Sequence, residues 1–380
     1  MARKSTKEKN GGKEFLQTLK ELAYEKGIDE EQLFETIEAA LISAYRRNFN
    51  LAQNDRNVRI ALSRETGAFH VFAIKDVVEE VTNDVTEISL AQARAINPDY
   101  MIGDVVEIEM TPANFGRIAA QTAKQVVMQR LREAERGIVY DEYMNRKSDI
   151  VTGIVQRVEG RNVFVDIGRA EALLMPTEQM PSEEYNYGDT LRAYIIEVKR
   201  TARGPQILLS RTHPELLKKL FELQVPEMQE GVVEIKSIAR EAGSRSKVAV
   251  YSSEERVDPI GACVGPHYMR VQAVVDELAG EKIDIVKWSD DPATYIANSL
   301  NPAKVISVAV NEAEKVSRVV VPDYQLSLAI GKEGQNARLA AKLTGWKIDI
   351  KSESQAQELM AAADEAEEAA VEAEPAAEEA

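Results

Sequence analysis

Two segments of the chain share one tetrapeptide, first as Lys282-Ile283-Asp284-Ile285 and again, 65 residues later, as Lys347-Ile348-Asp349-Ile350. Each tetrapeptide closes a longer pattern of apolar periodicity that predicts the element order α-β-β-α-α-β. The pattern covers residues 213–288 and recurs over residues 289–352. In both copies the fourth element ends at a glycine, and a helix restarts shortly after it. The sequence therefore predicts a tandem duplication of one α+β domain.

The glycine turn of the second copy reads Gly331-Lys332-Glu333-Gly334-Gln335-Asn336-Ala337-Arg338. Two glycines around two polar residues allow a sharp turn and a close approach by another chain. The N–H groups of the following helix then face a phosphate. A C-cap glycine followed by a turn residue would give the same letters, but the duplication and the adjacent cations favour the GxxG loop of an RNA-binding KH domain. The candidate RNA contacts are Gly331, Lys332, Glu333, Gly334, Gln335, Asn336 and Arg338.

The first copy departs from this pattern, because its loop places a tyrosine where the second copy has its second glycine. Its candidate RNA contacts are Gly265, Pro266, His267, Tyr268 and Arg270. We expect the ring of Tyr268 to hinder the approach of a phosphate. We favour this over the alternatives because the surrounding segment is acidic and offers little to hold a phosphate. Stacking of the ring on a base is the alternative, and a surface tyrosine without a role is a third.

Residues 148–212 change to short strands at close spacing, which suit a small closed barrel of the OB-fold type. The five predicted strands are Asp149–Val158, Asn162–Ile167, Ala170–Met175, Thr190–Val198 and Gln206–Ser210. Phe164 and Tyr194 are candidates for base stacking, supported by the cations Arg161, Arg192 and Lys199. Both aromatic rings could instead fill the barrel.

Residues 13–147 are predicted to form one α/β domain that ends in a long connector helix. Asp29 has the position of an N-cap ahead of an amphipathic helix. Two alternating segments, Asn57–Ser63 and Ala68–Val78, predict a hairpin. Asp104–Met110 is a further strand, and the connector helix spans about Arg117 to Arg146.

Charge is unevenly distributed along the chain, whose net charge is −16. Residues 353–380 form an Ala/Glu-rich tail without a single Lys or Arg, which predicts disorder. Residues 1–12 form a short basic arm that we also expect to be flexible. The overall negative charge therefore does not exclude RNA binding by the domains between them.

The composition excludes several classes of protein and site. One cysteine and three scattered histidines fit neither a disulfide framework nor a metal site, and no cofactor motif is present. No secretory signal or membrane-spanning stretch is visible. We therefore expect a cytoplasmic protein without metal, cofactor or catalytic residues.

Three motifs together resemble the NusA family of bacterial transcription factors. They are Gly261-Ala262-Cys263-Val264-Gly265, Gly280-Glu281-Lys282-Ile283-Asp284-Ile285-Val286 and Leu326-Ser327-Leu328-Ala329-Ile330-Gly331-Lys332-Glu333-Gly334-Gln335-Asn336. The resemblance covers about residues 13–352 and implies a multidomain α+β protein. Its domains would be an N-terminal RNA polymerase-binding domain (13–147), an S1 (OB-fold) domain (148–212) and two type II KH domains (213–288 and 289–352). The acidic repeats that follow the second KH domain in the family are absent, and the short tail takes their place.

The resemblance also implies a function. Such a factor binds RNA polymerase and nascent single-stranded RNA, and it modulates pausing, termination and antitermination. Other transcription elongation and antitermination factors would be further partners, and the free protein is expected to be a monomer.

Two alternatives come from other functional classes. An RNA-processing nuclease could carry S1 and KH domains as accessory modules, but residues 13–147 would then have to be catalytic, and they contain no recognisable catalytic motif. A ribosome-associated or general RNA chaperone would use the same RNA-binding domains without affinity for polymerase.

Overall fold

The structure is a computed structural model that describes residues 16–21, 23–25, 27, 29–48, 57–112 and 115–358. The predicted basic arm and residues 359–380 of the predicted tail lie outside this range. The chain divides into two units, residues 1–141 and 142–380.

The first unit combines helices with a four-stranded sheet. Its elements are α1 (Glu30–Asn48), β1 (Val58–Leu62), β2 (Phe69–Val78), β3 (Glu87–Ser89), α2 (Leu90–Ile96), β4 (Val105–Glu109) and α3 (Phe115–Asn145), which runs on into the second unit. β2 is antiparallel to β1 and β4 and parallel to β3. The hairpin and the long helix are confirmed. The sequence did not predict β3 and α2, because elements this short carry too little periodicity.

Apolar side chains of α1 and the sheet form the core of the first unit. Phe34, Ile37 and Leu41 on one face of α1 are fully buried together with Phe115. The helix begins where the sequence predicted, because the backbone N–H of Gln32 donates to Asp29 Oδ1 at 2.9 Å.

The second unit begins with a closed five-stranded barrel. Its strands are β5 (Ile150–Glu159), β6 (Asn162–Asp166), β7 (Glu171–Leu174), β8 (Thr190–Thr201) and β9 (Gly204–Ser210), in the spatial order β5-β6-β7-β9-β8. All five predicted strands are confirmed. Inward-facing residues such as Val155, Val165 and Ile195 are fully buried, so the barrel interior is a packed core.

The duplicated α-β-β-α-α-β domain is confirmed in both copies. The first contains α4 (Pro214–Gln224), α5 (Pro226–Gln229), β10 (Val233–Glu241), β11 (Arg245–Ser252), α6 (Pro259–Val264), α7 (Met269–Glu277) and β12 (Lys282–Lys287). The second contains α8 (Pro292–Ser299), β13 (Ser307–Asn311), β14 (Val316–Val321), α9 (Leu326–Ile330), α10 (Gln335–Thr344) and β15 (Lys347–Ser352). In each sheet the first two strands are antiparallel and the last two are parallel. The repeated tetrapeptide forms the parallel edge strand of each copy.

Buried charged side chains link the parts of the second unit. Arg211, directly after the barrel, is almost fully buried and pairs with Glu183 and with Glu277 of α7. The buried Lys247 donates to Asp284 Oδ2 at 3.2 Å within the first copy and to the backbone O of Asn301 in the second copy at 2.9 Å. These contacts fix the barrel and both copies in one arrangement.

Candidate nucleic-acid interface

The glycine loop of the second copy is crowded at Gly331 and open at Gly334. Gly331 adopts φ 77° and ψ 172°, and Gly334 adopts φ 74° and ψ 15° as the N-cap of α10. A Cβ on Gly331 would lie 2.8 Å from Asn336 Cβ, whereas a Cβ on Gly334 would meet nothing within 4 Å. The loop is therefore open to an approaching ligand at Gly334.

Two cations, Lys332 and Arg338, belong to this loop and the start of α10, and the loop also carries the exposed Glu333. Lys332 is exposed, and its side chain has no partner among the residues that the structure describes. Arg338 Nε donates to Glu241 Oε1 at 2.7 Å, and its side chain is 48% exposed. This hydrogen bond lowers the pKa of the Glu241 carboxyl. Gln335 Nε2 also donates to Glu241, at 2.8 Å. Lys332 is thus the cation that is free for a phosphate, while Arg338 is shared between the two copies.

Asn336 lies beneath the loop rather than on it. Its side chain is buried, and Nδ2 donates to the backbone O of Ala329 at 2.9 Å and of Leu300 at 3.1 Å. This placement corrects the prediction of a direct RNA contact. Asn336 instead ties the end of α9 to the start of α10.

The loop of the first copy repeats the backbone of the second. Gly265 adopts φ 71° and ψ 173°, and His267 adopts φ 51° and ψ 33°, close to φ 53° and ψ 26° at Glu333. Tyr268 adopts the left-handed φ 63° and ψ 12° where the second copy has Gly334. The tyrosine therefore occupies a glycine conformation without changing the path of the chain.

The first loop differs from the second in its charge. Arg270 NH1 donates to Glu227 Oε2 at 2.8 Å and to the backbone O of Ala262 at 2.6 Å, and the side chain is largely buried. Pro266 and His267 are exposed. Among the described residues of this loop, no lysine or arginine is available to a phosphate.

The two aromatic candidates in the barrel, Tyr194 and Phe164, differ in how far their rings are buried. Tyr194 is buried, and its ring stacks on His213 at 4.6 Å between centroids. It therefore cannot offer a face to a base, which corrects that prediction. Phe164 is half-buried, with the Arg157 guanidinium 4.0 Å from its ring centroid.

The three predicted barrel cations also differ in their partners. Arg192 NH1 donates to Glu277 at 2.8 Å and so takes part in the junction with the first copy. Lys199 pairs with Glu197 at 2.7 Å on the surface. Arg161 is exposed and its side chain has no partner within the described part of the chain. Arg161 is the most accessible of the three.

Sequence reasoning missed the buried ion pairs that position these loops. Arg211 and Arg240 are separated from their acidic partners by at least 28 residues, so no local spacing revealed them. A weak local signal was the position of Arg211 immediately after the buried residues of β9.

Neither a metal-binding cluster nor a reactive thiol is found among the described residues. No group of three or more His, Cys, Asp or Glu side chains among them could hold a metal ion. Burial raises the pKa of the Cys263 thiol to about 12, which makes it a poor nucleophile. Within the same ranges, no helix is both long enough and apolar enough to cross a membrane.

Comparison with known proteins accounts for this arrangement of domains. Residues 14–137 match the NusA N-terminal domain and residues 145–210 the S1 RNA binding domain. Residues 211–288 match the NusA-like first KH domain and residues 292–358 the NusA-like second KH domain. The transcription termination/antitermination protein NusA of Halalkalibacterium halodurans is 63% identical over 353 residues, which are 93% of this chain and 92% of that protein. The chain belongs to the NusA family.

Other NusA proteins show the same extent of similarity. The protein of Bacillus subtilis is 62% identical over 91% of this chain and 92% of its own length. That of Thermus thermophilus is 42% identical over 88% of this chain and 89% of its own length. The solution structure of the N-terminal domain of B. subtilis NusA covers 33% of this chain and 98% of that chain at 63% identity, with a TM-score of 0.30.

Membership of the NusA family confirms the predicted class of function. The chain is a transcription termination/antitermination factor with S1 and KH RNA-binding domains, and not an enzyme. The nuclease alternative is therefore set aside.

Proposed function

We propose that this chain binds RNA polymerase through its N-terminal unit and holds nascent single-stranded RNA on its KH and S1 domains. In this way it would modulate pausing, termination and antitermination. We further propose that it acts in the cytoplasm, is a monomer when free, and has other transcription elongation and antitermination factors as partners. Its similarity to NusA proteins along nearly the whole chain supports each of these points.

The observation that carries the RNA proposal is the open backbone at Gly334 beside the free cation of Lys332. A phosphate that approaches Gly334 meets no side chain there, and it reaches the N-terminus of α10, where the N–H of Gln335 already donates to the backbone O of Lys332. The helix dipole favours a negative charge at this position. Lys332 and the half-exposed Arg338 add an attraction that weakens with salt. The second KH loop is therefore the proposed anchor for the RNA backbone.

Substitution of Gly334 tests this anchor. We expect Gly334→Asp to lower the affinity for single-stranded RNA at least tenfold, equivalent to about 1.4 kcal/mol. The reason is that a carboxylate would stand where the phosphate must come. Fluorescence anisotropy with a labelled oligonucleotide at fixed salt measures the change.

Gly334→Asn is the matched control, because asparagine has nearly the same size, carries no charge and tolerates left-handed backbone. It should lose much less affinity than the aspartate variant. Gly331 is less suitable, since any side chain there would collide with Asn336. A folded Gly334→Asp variant with wild-type affinity would contradict the proposal.

A further inference from the structure

Tyr268 occupies a backbone conformation that side chains disfavour, and most of its surface is exposed. Its φ of 63° lies in the left-handed region, which is uncommon for bulky residues and costs conformational energy. The ring takes part in no hydrogen bond, ion pair or ring contact among the described residues, and the residue is 69% exposed. Little packing against the described residues therefore offsets this conformational cost.

The second KH loop shows which way the Tyr268 side chain points. Because both loops share one backbone path, the Cβ of Tyr268 corresponds to the position built on Gly334, which has no atom within 4 Å. That open volume is the one through which RNA reaches the second loop in the proposed function. The tyrosine ring thus stands on the ligand side of the first loop.

The charges around the first loop suit a base better than a phosphate. Arg270 is engaged by Glu227 and by the backbone of Ala262. The other basic side chain of this loop is that of His267, and the loop contains no lysine. The second loop, in contrast, exposes the full charge of Lys332. An exposed aromatic ring offers a face on which a base can stack, whereas this loop offers little to hold a phosphate.

We propose that the first KH loop receives an unpaired nucleobase on the ring of Tyr268 rather than a phosphate on its backbone. This inference rests on the proposed function, in which the second loop anchors the RNA. The sequence alone favoured obstruction by the ring. The exposed ring, which makes no hydrogen bond, ion pair or ring contact with the described residues, points to stacking together with the engaged Arg270. Tyr268 would then contribute base-dependent affinity at a loop that holds the phosphate weakly.

Two substitutions in the full chain separate stacking from other roles. Tyr268→Phe keeps the ring, whereas Tyr268→Leu removes it but keeps a large apolar side chain with the same demand on the backbone. We expect the phenylalanine variant to bind a 16-nucleotide oligoadenylate as tightly as wild type, within about twofold. The leucine variant should bind at least about fivefold more weakly, near the lower end of measured stacking contributions.

Base identity gives a second measurement. Adenine stacks more strongly than uracil because its ring system is larger. We therefore expect wild type and Tyr268→Phe to prefer oligoadenylate over oligouridylate of equal length, and this preference should shrink in Tyr268→Leu. Equal or tighter binding by the leucine variant would overturn the proposal, and tighter binding would show that the ring obstructs RNA.

Gly334→Asp in the same titration separates a failure of the proposed function from a failure of the stacking role of Tyr268. If wild type fails to bind either oligonucleotide, or if Gly334→Asp has no effect, the proposed function fails. If Gly334→Asp weakens binding and Tyr268→Leu does not, only the stacking role of Tyr268 is refuted.

Discussion

Glu281 lies immediately before the repeated tetrapeptide and is fully buried in the first KH domain. Its carboxylate accepts from Arg240 Nη2 at 2.9 Å, from Ser246 Oγ at 2.5 Å and from the backbone N–H of Gly243 at 3.0 Å. One buried anion therefore holds both strands and the turn of the β10–β11 hairpin. The same arginine donates to the backbone O of His213, so the pair also ties this hairpin to the start of α4.

Neutralising this carboxylate should destabilise the first KH domain strongly. Glu281→Gln would leave the Arg240 charge buried without its partner, an effect that typically costs about 3–5 kcal/mol. We expect a loss of that size in the free energy of unfolding, measured by urea denaturation. Glu234→Gln is the control, because Glu234 pairs with Lys236 at the surface and such pairs contribute about 0–1 kcal/mol. Equal effects of the two substitutions would show that the buried pair does not hold the hairpin.

At the scale of the elements, two glycines in regular structure differ in whether there is space for a side chain. Gly153 in β5 faces the barrel interior, where a Cβ would lie 2.5 Å from Val165 Cγ1 and 2.7 Å from the backbone O of Asp166. Gly137 lies within α3, and a Cβ there would meet nothing within 4 Å. The barrel needs a glycine where its strands approach closely, whereas the long helix does not.

We expect alanine at these two positions to change stability in opposite directions. Gly153→Ala should lower the free energy of unfolding by about 1–3 kcal/mol, because overpacking shifts the barrel strands. Gly137→Ala should raise it by up to about 1 kcal/mol, because alanine favours a helix over glycine. Denaturation of the full chain measures both. A neutral Gly153→Ala would mean that the barrel relaxes around the added methyl group.

At the scale of the whole molecule, we propose that the first unit binds polymerase and the second unit binds RNA. In the proposed function the barrel and the KH copies bind RNA, and polymerase binding falls to residues 13–147. Residues 14–137 match the NusA N-terminal domain. We therefore expect a fragment of residues 13–147 to co-purify with RNA polymerase in the absence of RNA.

The complementary fragment, residues 148–380, is the control for this experiment. It should bind single-stranded RNA but retain little polymerase once nuclease has removed the transcript. Circular dichroism checks that both fragments are folded. Retention of polymerase by residues 148–380 alone would place the main polymerase contact outside the N-terminal unit.

The sequence by itself determined most of the elements, the duplication and the loop that anchors the proposed RNA site, but not the short β3 and α2. Strand alternation, helix periodicity and a repeated tetrapeptide are local properties, and they predicted the five barrel strands and both α-β-β-α-α-β copies. Gly331 and Gly334 were visible because a left-handed backbone selects glycine at the position itself.

The tertiary structure alone decided which side chains face a ligand. Tyr194 is covered because His213 stacks on its ring, and Asn336 is buried because α9 and α10 converge on it. Arg211 binds carboxylates 28 and 66 residues away. Periodicity shows which face of an element is apolar, but it does not show which other element will cover that face. Burial and pairing depend on contacts between residues far apart in the chain, and these exist only once the domains have packed together.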